Sequence, residues 1–101
     1  MTPAKLLITY DISEEVSNEY RQFILEKFLP KAQEMGLVIV GVWYTAYGEG
    51  PERHTELVTQ DEDTMWQILH SPEWKELEEE LKKYVISFGR KVVPYRQGFQ
   101  L

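Results

Sequence analysis

Leu37-Val38-Ile39-Val40-Gly41-Val42-Trp43-Tyr44-Thr45-Ala46-Tyr47 is β-branched and aromatic, and it is apolar on both alternating faces. Such a run reads as a β-strand. A strand with one wet face alternates apolar and polar residues, and this one does not, so both of its faces need cover. Two apolar sets alternate along it, Leu37-Ile39-Trp43-Tyr47 and Val38-Val40-Val42-Tyr44. The remaining chain supplies enough helix for one side of a small sheet. A second copy of the chain is the expected cover for the other side, so the protein is expected to be a homodimer.

On the N-terminal side, Lys5 to Ile12 alternates, with Leu6, Ile8, Tyr10 and Ile12 on one face and Leu7, Thr9 and Asp11 on the other. This is the first strand. Ser13 reads as an N-cap before Glu14 and Glu15, and Val16, Tyr20, Phe23, Ile24, Leu25, Phe28, Leu29, Ala32 and Met35 follow at mostly helical spacing up to Gly36. Pro30 lies inside this rhythm and predicts a kink near Lys27 and Phe28. On the C-terminal side, Gly48-Glu49-Gly50-Pro51-Glu52 is turn chemistry, and Arg53 to Gln60 reads as a third strand in a hairpin with the second. Asp61-Glu62-Asp63 opens a helical region, and Ser71-Pro72-Glu73 restarts it with proline in a favoured first position. Trp74, Leu77, Leu81, Tyr84, Val85 and Phe88 keep an i, i+3, i+4 rhythm that predicts helix as far as Gly89. Val92 to Leu101 reads as the last strand, with Pro94 marking an edge or a bulge. The order β-α-β-β-α-β is the α+β, ferredoxin-like pattern: one domain over residues 1–101, a four-stranded antiparallel sheet with helices on one face.

Composition narrows the function classes. The 101 residues suit one domain, and 43% hydrophobic and 13% aromatic content can build a core. A formal net charge of −6 argues against nucleic acid and against anionic membranes. With no cysteine there is no disulfide framework or thiol chemistry, which fits a cytoplasmic protein. Leu6-Leu7-Ile8 is too short for a signal-peptide core, and no stretch is expected to span a bilayer.

The chain resembles the dimeric α/β-barrel superfamily, and within it the small NIPSNAP-type proteins. The resemblance is carried by Phe28-Leu29-Pro30, by Met35-Gly36-Leu37, and by the hairpin Gly50-Pro51-Glu52-Arg53-His54. Ser71-Pro72-Glu73-Trp74, Lys91-Val92-Val93 and Gly98-Phe99-Gln100 add to it. It implies a barrel-like dimer packed sheet against sheet. The superfamily includes cofactor-free monooxygenases, haem enzymes, isomerases and proteins without assigned activity, so the fold does not name the reaction.

His54 is the first candidate for chemistry. It opens a strand after a Gly-Pro turn, and Glu56 shares its strand face, where a carboxylate could orient an imidazole as general acid or base. The plainer reading is a strand-end histidine in an ordinary hydrogen bond or ion pair. No cofactor is expected: haem ligation by His54 or His70 has no attachment motif beside it. No metal site is expected, since neither histidine has a helical partner at the right spacing. Tyr10, Trp43, Tyr44, Tyr47 and Trp66, with Arg53, are candidates for lining a pocket between sheet and helices, against the alternative that these rings are core. Three functions follow: a homodimeric binder of a small, partly apolar molecule; a cofactor-independent monooxygenase or isomerase; or a structural dimer with a filled core.

Overall fold

The computed structural model describes residues 2–44 and 53–95, with backbone alone for 42–44. Four strands, β1 (Ala4–Ile12), β2 (Val38–Tyr44), β3 (Arg53–Thr59) and β4 (Val85–Pro94), form one antiparallel sheet in the order β2-β3-β1-β4. Between β1 and β2 run a 3₁₀ turn (Glu14–Val16), α1 (Ser17–Phe23), a π-helical turn (Ile24–Phe28) and α2 (Leu29–Glu34). Between β3 and β4 run α3 (Glu62–Leu69) and α4 (Pro72–Leu81). This is the ferredoxin-like α+β fold. Among the described residues, no helix is long and apolar enough to cross a membrane.

The core lies between one sheet face and the helices. Leu6, Ile8 and Tyr10 of β1 and Leu57 of β3 meet Phe23, Phe28, Met65, Leu69, Trp74, Leu77 and Leu81, all buried. Phe28 sets its ring 5.8 Å from that of Trp74 in an edge-to-face contact. Local chemistry marks the helix ends. Asp61 accepts from the Thr64 amide at 2.7 Å at the start of α3, and Ser71 accepts from the Trp74 amide at 3.2 Å at the start of α4. Gly36, at φ 104°, ends α2, where the Leu37 amide returns to the Ala32 carbonyl at 3.0 Å.

The structure departs from the sequence expectations at several places. Ser13 makes no side-chain cap, and the first helix begins instead as the 3₁₀ turn. The second helix ends at Leu81, not at Gly89. Val85 pairs with Ile12 and Ile86 with Asp11, so tertiary strand pairing overrides the helical rhythm that Tyr84, Val85 and Phe88 extend. The last strand accordingly starts at Val85 and reaches Pro94 on the sheet edge.

Pro30 does not end the helix, which runs on through α2. The helix widens into the π-turn immediately before it, and the Leu29 amide reaches back five residues to the Ile24 carbonyl. Proline cannot donate to the preceding turn, and its ring would press on it. A wider turn relieves both problems.

Finally, strict alternation fails in β2. Ile39 pairs with Leu57 and Gly41 with Glu56, so Val40 is an extra residue and the strand changes phase. Before the bulge, Leu37 and Ile39 face the helices while Val38 and Val40 stand exposed on the other side. Beyond it, Val42 stands opposite Thr55, Trp43 opposite His54, and Tyr44 opposite Arg53. A second bulge sets Ser87 and Phe88 of β4 against Tyr10 alone, with Ser87 at φ 56°.

Candidate functional site

A cavity of about 290 Å³ lies between the sheet and the first helical segment. Its floor is Tyr10 of β1 with Arg53 and Thr55 of β3, and its wall is Tyr20, Arg21, Ile24, Leu25, Phe28 and Leu29. Strand alternation explains the floor. Tyr10, Arg53 and Thr55 share the helix-facing side, and Arg53 stands directly across from Tyr10 in the register. The wall follows from the π-turn. Ile24, Leu25 and Phe28 belong to it, and such turns re-aim side chains that a regular α-helix would stagger differently. The proline that disturbs the helical pattern thus sits beside the widened turn that borders the cavity.

Two phenols meet in this cavity. The Tyr10 and Tyr20 hydroxyls are 2.5 Å apart, and their rings pack edge to face at 5.8 Å. Burial pushes the Tyr10 hydroxyl far above its ordinary range, the Tyr20 oxygen beside it adds to the rise, and Thr55 and the Arg53 charge act weakly against it. Burial likewise raises Tyr20, opposed by its bond to Tyr10 and by Arg53. Both phenols are therefore neutral hydrogen-bonding groups at neutral pH, unable to serve as phenolate nucleophiles there. The lining has four apolar side chains (Ile24, Leu25, Phe28 and Leu29), three hydroxyls and two guanidinium groups, and no carboxylate among the described residues.

The structure distributes the residues singled out from sequence over several places. Tyr10 and Arg53 line the cavity. The Tyr44 backbone pairs with Arg53 at the same sheet end, and Trp43 pairs with His54. Tyr47 lies outside the described residues, as does the turn 48–52. Trp66 is on the outer surface of α3, where its indole N–H donates to Glu62 at 3.2 Å and its ring stacks on His70 at 5.9 Å. His54 and Glu56 lie on the sheet face opposite the cavity, since Thr55 and Leu57 between and beyond them are buried toward the helices. There Glu56 pairs with Lys5 at 3.4 Å. Arg90 turns to the helix side and meets Glu78 of α4 at 3.0 Å. Among the described residues, no group of three His, Asp or Glu side chains could hold a metal ion. The cavity residues that sequence reasoning passed over are Tyr20, Arg21, Thr55 and the π-turn side chains. Pro30 within an unbroken apolar rhythm was the available signal for the last of these.

No protein-family model matches the sequence, and no curated protein matches it. Solved structures do. The chain superimposes on a NIPSNAP family protein from Agrobacterium tumefaciens with a TM-score of 0.68 at 14% identity, over 96% of this chain and 89% of that one. The chain has the fold of the NIPSNAP proteins. An ethyl tert-butyl ether d (ethd) family protein from Bacillus halodurans gives a TM-score of 0.74 at 14% identity, covering 93% of this chain and 99% of that one. A Nitrosomonas europaea protein inferred to be an antibiotic biosynthesis monooxygenase gives 0.66 at 7% identity, covering 97% and 92%. At these identities the likeness is one of architecture.

Proposed function

We propose that the protein is a homodimer that binds a small, partly apolar molecule in the cavity between the sheet and the first helical segment. The cavity itself carries this reading. At about 290 Å³ it stands at the lower end of ligand-site volumes, it is walled by Ile24, Leu25, Phe28 and Leu29, and its few polar groups converge from β1, β3 and α1. A dimeric module with a filled core would have no use for such a space. Enzymatic turnover would have to use the groups that line it, and His54 with Glu56 face away from it.

The dimer is supported by the uncovered sheet face. Val38 and Val40 are 61% and 42% exposed beside Val58 on β3, and Ile86 is 59% exposed near the other edge. A shallow groove of about 550 Å³ runs over Val38, Val40 and Val58. A second copy packed sheet to sheet would remove this apolar surface from water at about 25 cal/mol per Å² gross. The Lys5–Glu56 pair on the same face then supplies polar register at the interface.

Two measurements test the reading. Sedimentation equilibrium of the full chain at micromolar concentration should give twice 12.0 kDa, and Val38→Asp should shift it to the monomer. A heteronuclear NMR screen of small single-ring compounds should move the amides of residues 20–29 and 53–55 together. A monomeric wild type removes the dimer, and a screen in which those amides never respond removes the binder.

A further inference from the structure

We propose that the ligand of this cavity is an uncharged hydrogen-bond donor, a single-ring or similarly small apolar body carrying a hydroxyl or an N–H, and that the Leu25 backbone carbonyl accepts from it. The inference rests on the binding role proposed above and adds the polar head of the molecule bound. It starts from the backbone accounting of the π-turn. A helical carbonyl takes the amide four residues on in an α-turn, or the amide five residues on in a π-turn. For Leu25 those residues are Leu29 and Pro30. The Leu29 amide goes to the Ile24 carbonyl instead, and Pro30 has no N–H to give. Among the described residues, no side chain donates to the Leu25 carbonyl in their place. Neither feature alone leaves this acceptor open. In a regular helix the Leu29 amide would serve it, and in a π-turn without the proline the amide of residue 30 would. The open acceptor belongs to the cavity wall. Leu25 lines the cavity and is 62% exposed, which puts it at the mouth. A helical carbonyl without an amide is met by water or by a ligand donor. A donor attached to an apolar body has the advantage over water, because Ile24, Phe28 and Leu29 of the same wall take that body out of solvent at the same time. A cationic donor is disfavoured, since Arg21 stands on the same rim and no carboxylate lines the cavity among the described residues. The volume limits the body to about one ring.

The test is a pair of compounds, 4-ethylphenol and its methyl ether 4-ethylanisole, titrated into the full chain at neutral pH and followed by NMR. The two share ring and tail, both are uncharged at this pH, and only the phenol has a proton to donate. Phenol binding at least tenfold tighter than the ether, about 1.4 kcal/mol, is the expected result. The Leu25 carbonyl carbon resonance should move downfield with the phenol and stay in place with the ether. That resonance separates the Leu25 carbonyl from the hydroxyls of the cavity floor as the acceptor. Pro30→Ala should bring the affinity ratio to within about twofold of one. Whether that variant keeps the π-turn or relaxes to regular helix, the Leu25 carbonyl gains an amide, from residue 30 in the first case and from Leu29 in the second. Equal or tighter ether binding at the same residues, or a Leu25 carbonyl that ignores the bound phenol, overturns the donor assignment while leaving the cavity a binding site. A tenfold preference that survives in Pro30→Ala does the same. Failure of both compounds to perturb residues 20–29 and 53–55 overturns the donor assignment as well. Whether the cavity binds at all is then judged by the wider screen of single-ring compounds.

Discussion

Removing the phenolic oxygens one at a time and together is the most direct probe of the cavity floor. Tyr10 is 2% exposed and Tyr20 6%, and each hydroxyl is the other's partner at 2.5 Å. Tyr20→Phe leaves the buried Tyr10 hydroxyl with Thr55 but without its phenolic partner. Tyr10→Phe strands Tyr20 and removes the Thr55 acceptor too. A net hydrogen bond contributes about 1 kcal/mol, and a buried polar group left unmatched costs about 1–3 kcal/mol. Each single variant is therefore expected to lose about 1–2 kcal/mol. In Tyr10→Phe/Tyr20→Phe both phenols are gone together and the rings keep their edge-to-face packing. Its loss should fall short of the sum of the two singles by about 1 kcal/mol, the signature of coupled neighbours. Urea unfolding at one fixed protein concentration reads this out, since concentration enters the stability of any dimer. With a slope of about 1–3 kcal/mol/M, a 1 kcal/mol difference moves the midpoint by about 0.3–1 M, well within measurement. Single losses that add to the double within about 0.3 kcal/mol would show that the two hydroxyls do not depend on each other.

The same phenols set a high-pH limit. Folded-state values raised above 10.0, chiefly by burial, mean that this contribution is complete below pH 10 and is lost as pH rises beyond it, because the unfolded chain ionises first. Urea midpoints of the wild type should fall more steeply between about pH 9 and pH 11 than those of Tyr10→Phe/Tyr20→Phe, and parallel curves would contradict it. Ser71→Ala should destabilise by about 1 kcal/mol through loss of the cap on the Trp74 amide, and an unchanged thermal midpoint would show that the bond carries no weight. Pro30→Ala restores an amide donor beside the π-turn, so the segment should relax toward regular α-helix and narrow the cavity, weakening ligand binding while changing stability by less than about 1 kcal/mol. Backbone hydrogen-bond couplings that still connect the Leu29 amide to the Ile24 carbonyl would show that the proline does not hold the turn open.

Much of the architecture is legible one residue at a time. The alternation of Leu6, Ile8 and Tyr10, the twofold apolar run from Leu37, and the Ser71-Pro72 helix start are local patterns, and local propensity plus periodicity yields the ferredoxin-like order from them. The Pro30 anomaly is equally local, and it lies beside the wall of the cavity. Pairing partners are not local. Val85 to Phe88 fit a helical stripe as well as a strand, and they become β4 because Ile12 and Asp11 stand ready to pair with Val85 and Ile86. The bulge at Val40 shifts the phase of β2, which no count of alternating residues could have located. The same holds for the site. Tyr10 and Arg53 attract notice in the sequence, but only their placement across adjacent strands, with Tyr20 brought down on Tyr10 from α1, makes the cavity. His54 and Glu56 hold one strand face as their spacing requires, yet which face looks toward the helices depends on which neighbours of Thr55 and Leu57 are buried. Spacing along a chain sets the period of a strand, whereas the sign of that period is set by packing against distant elements.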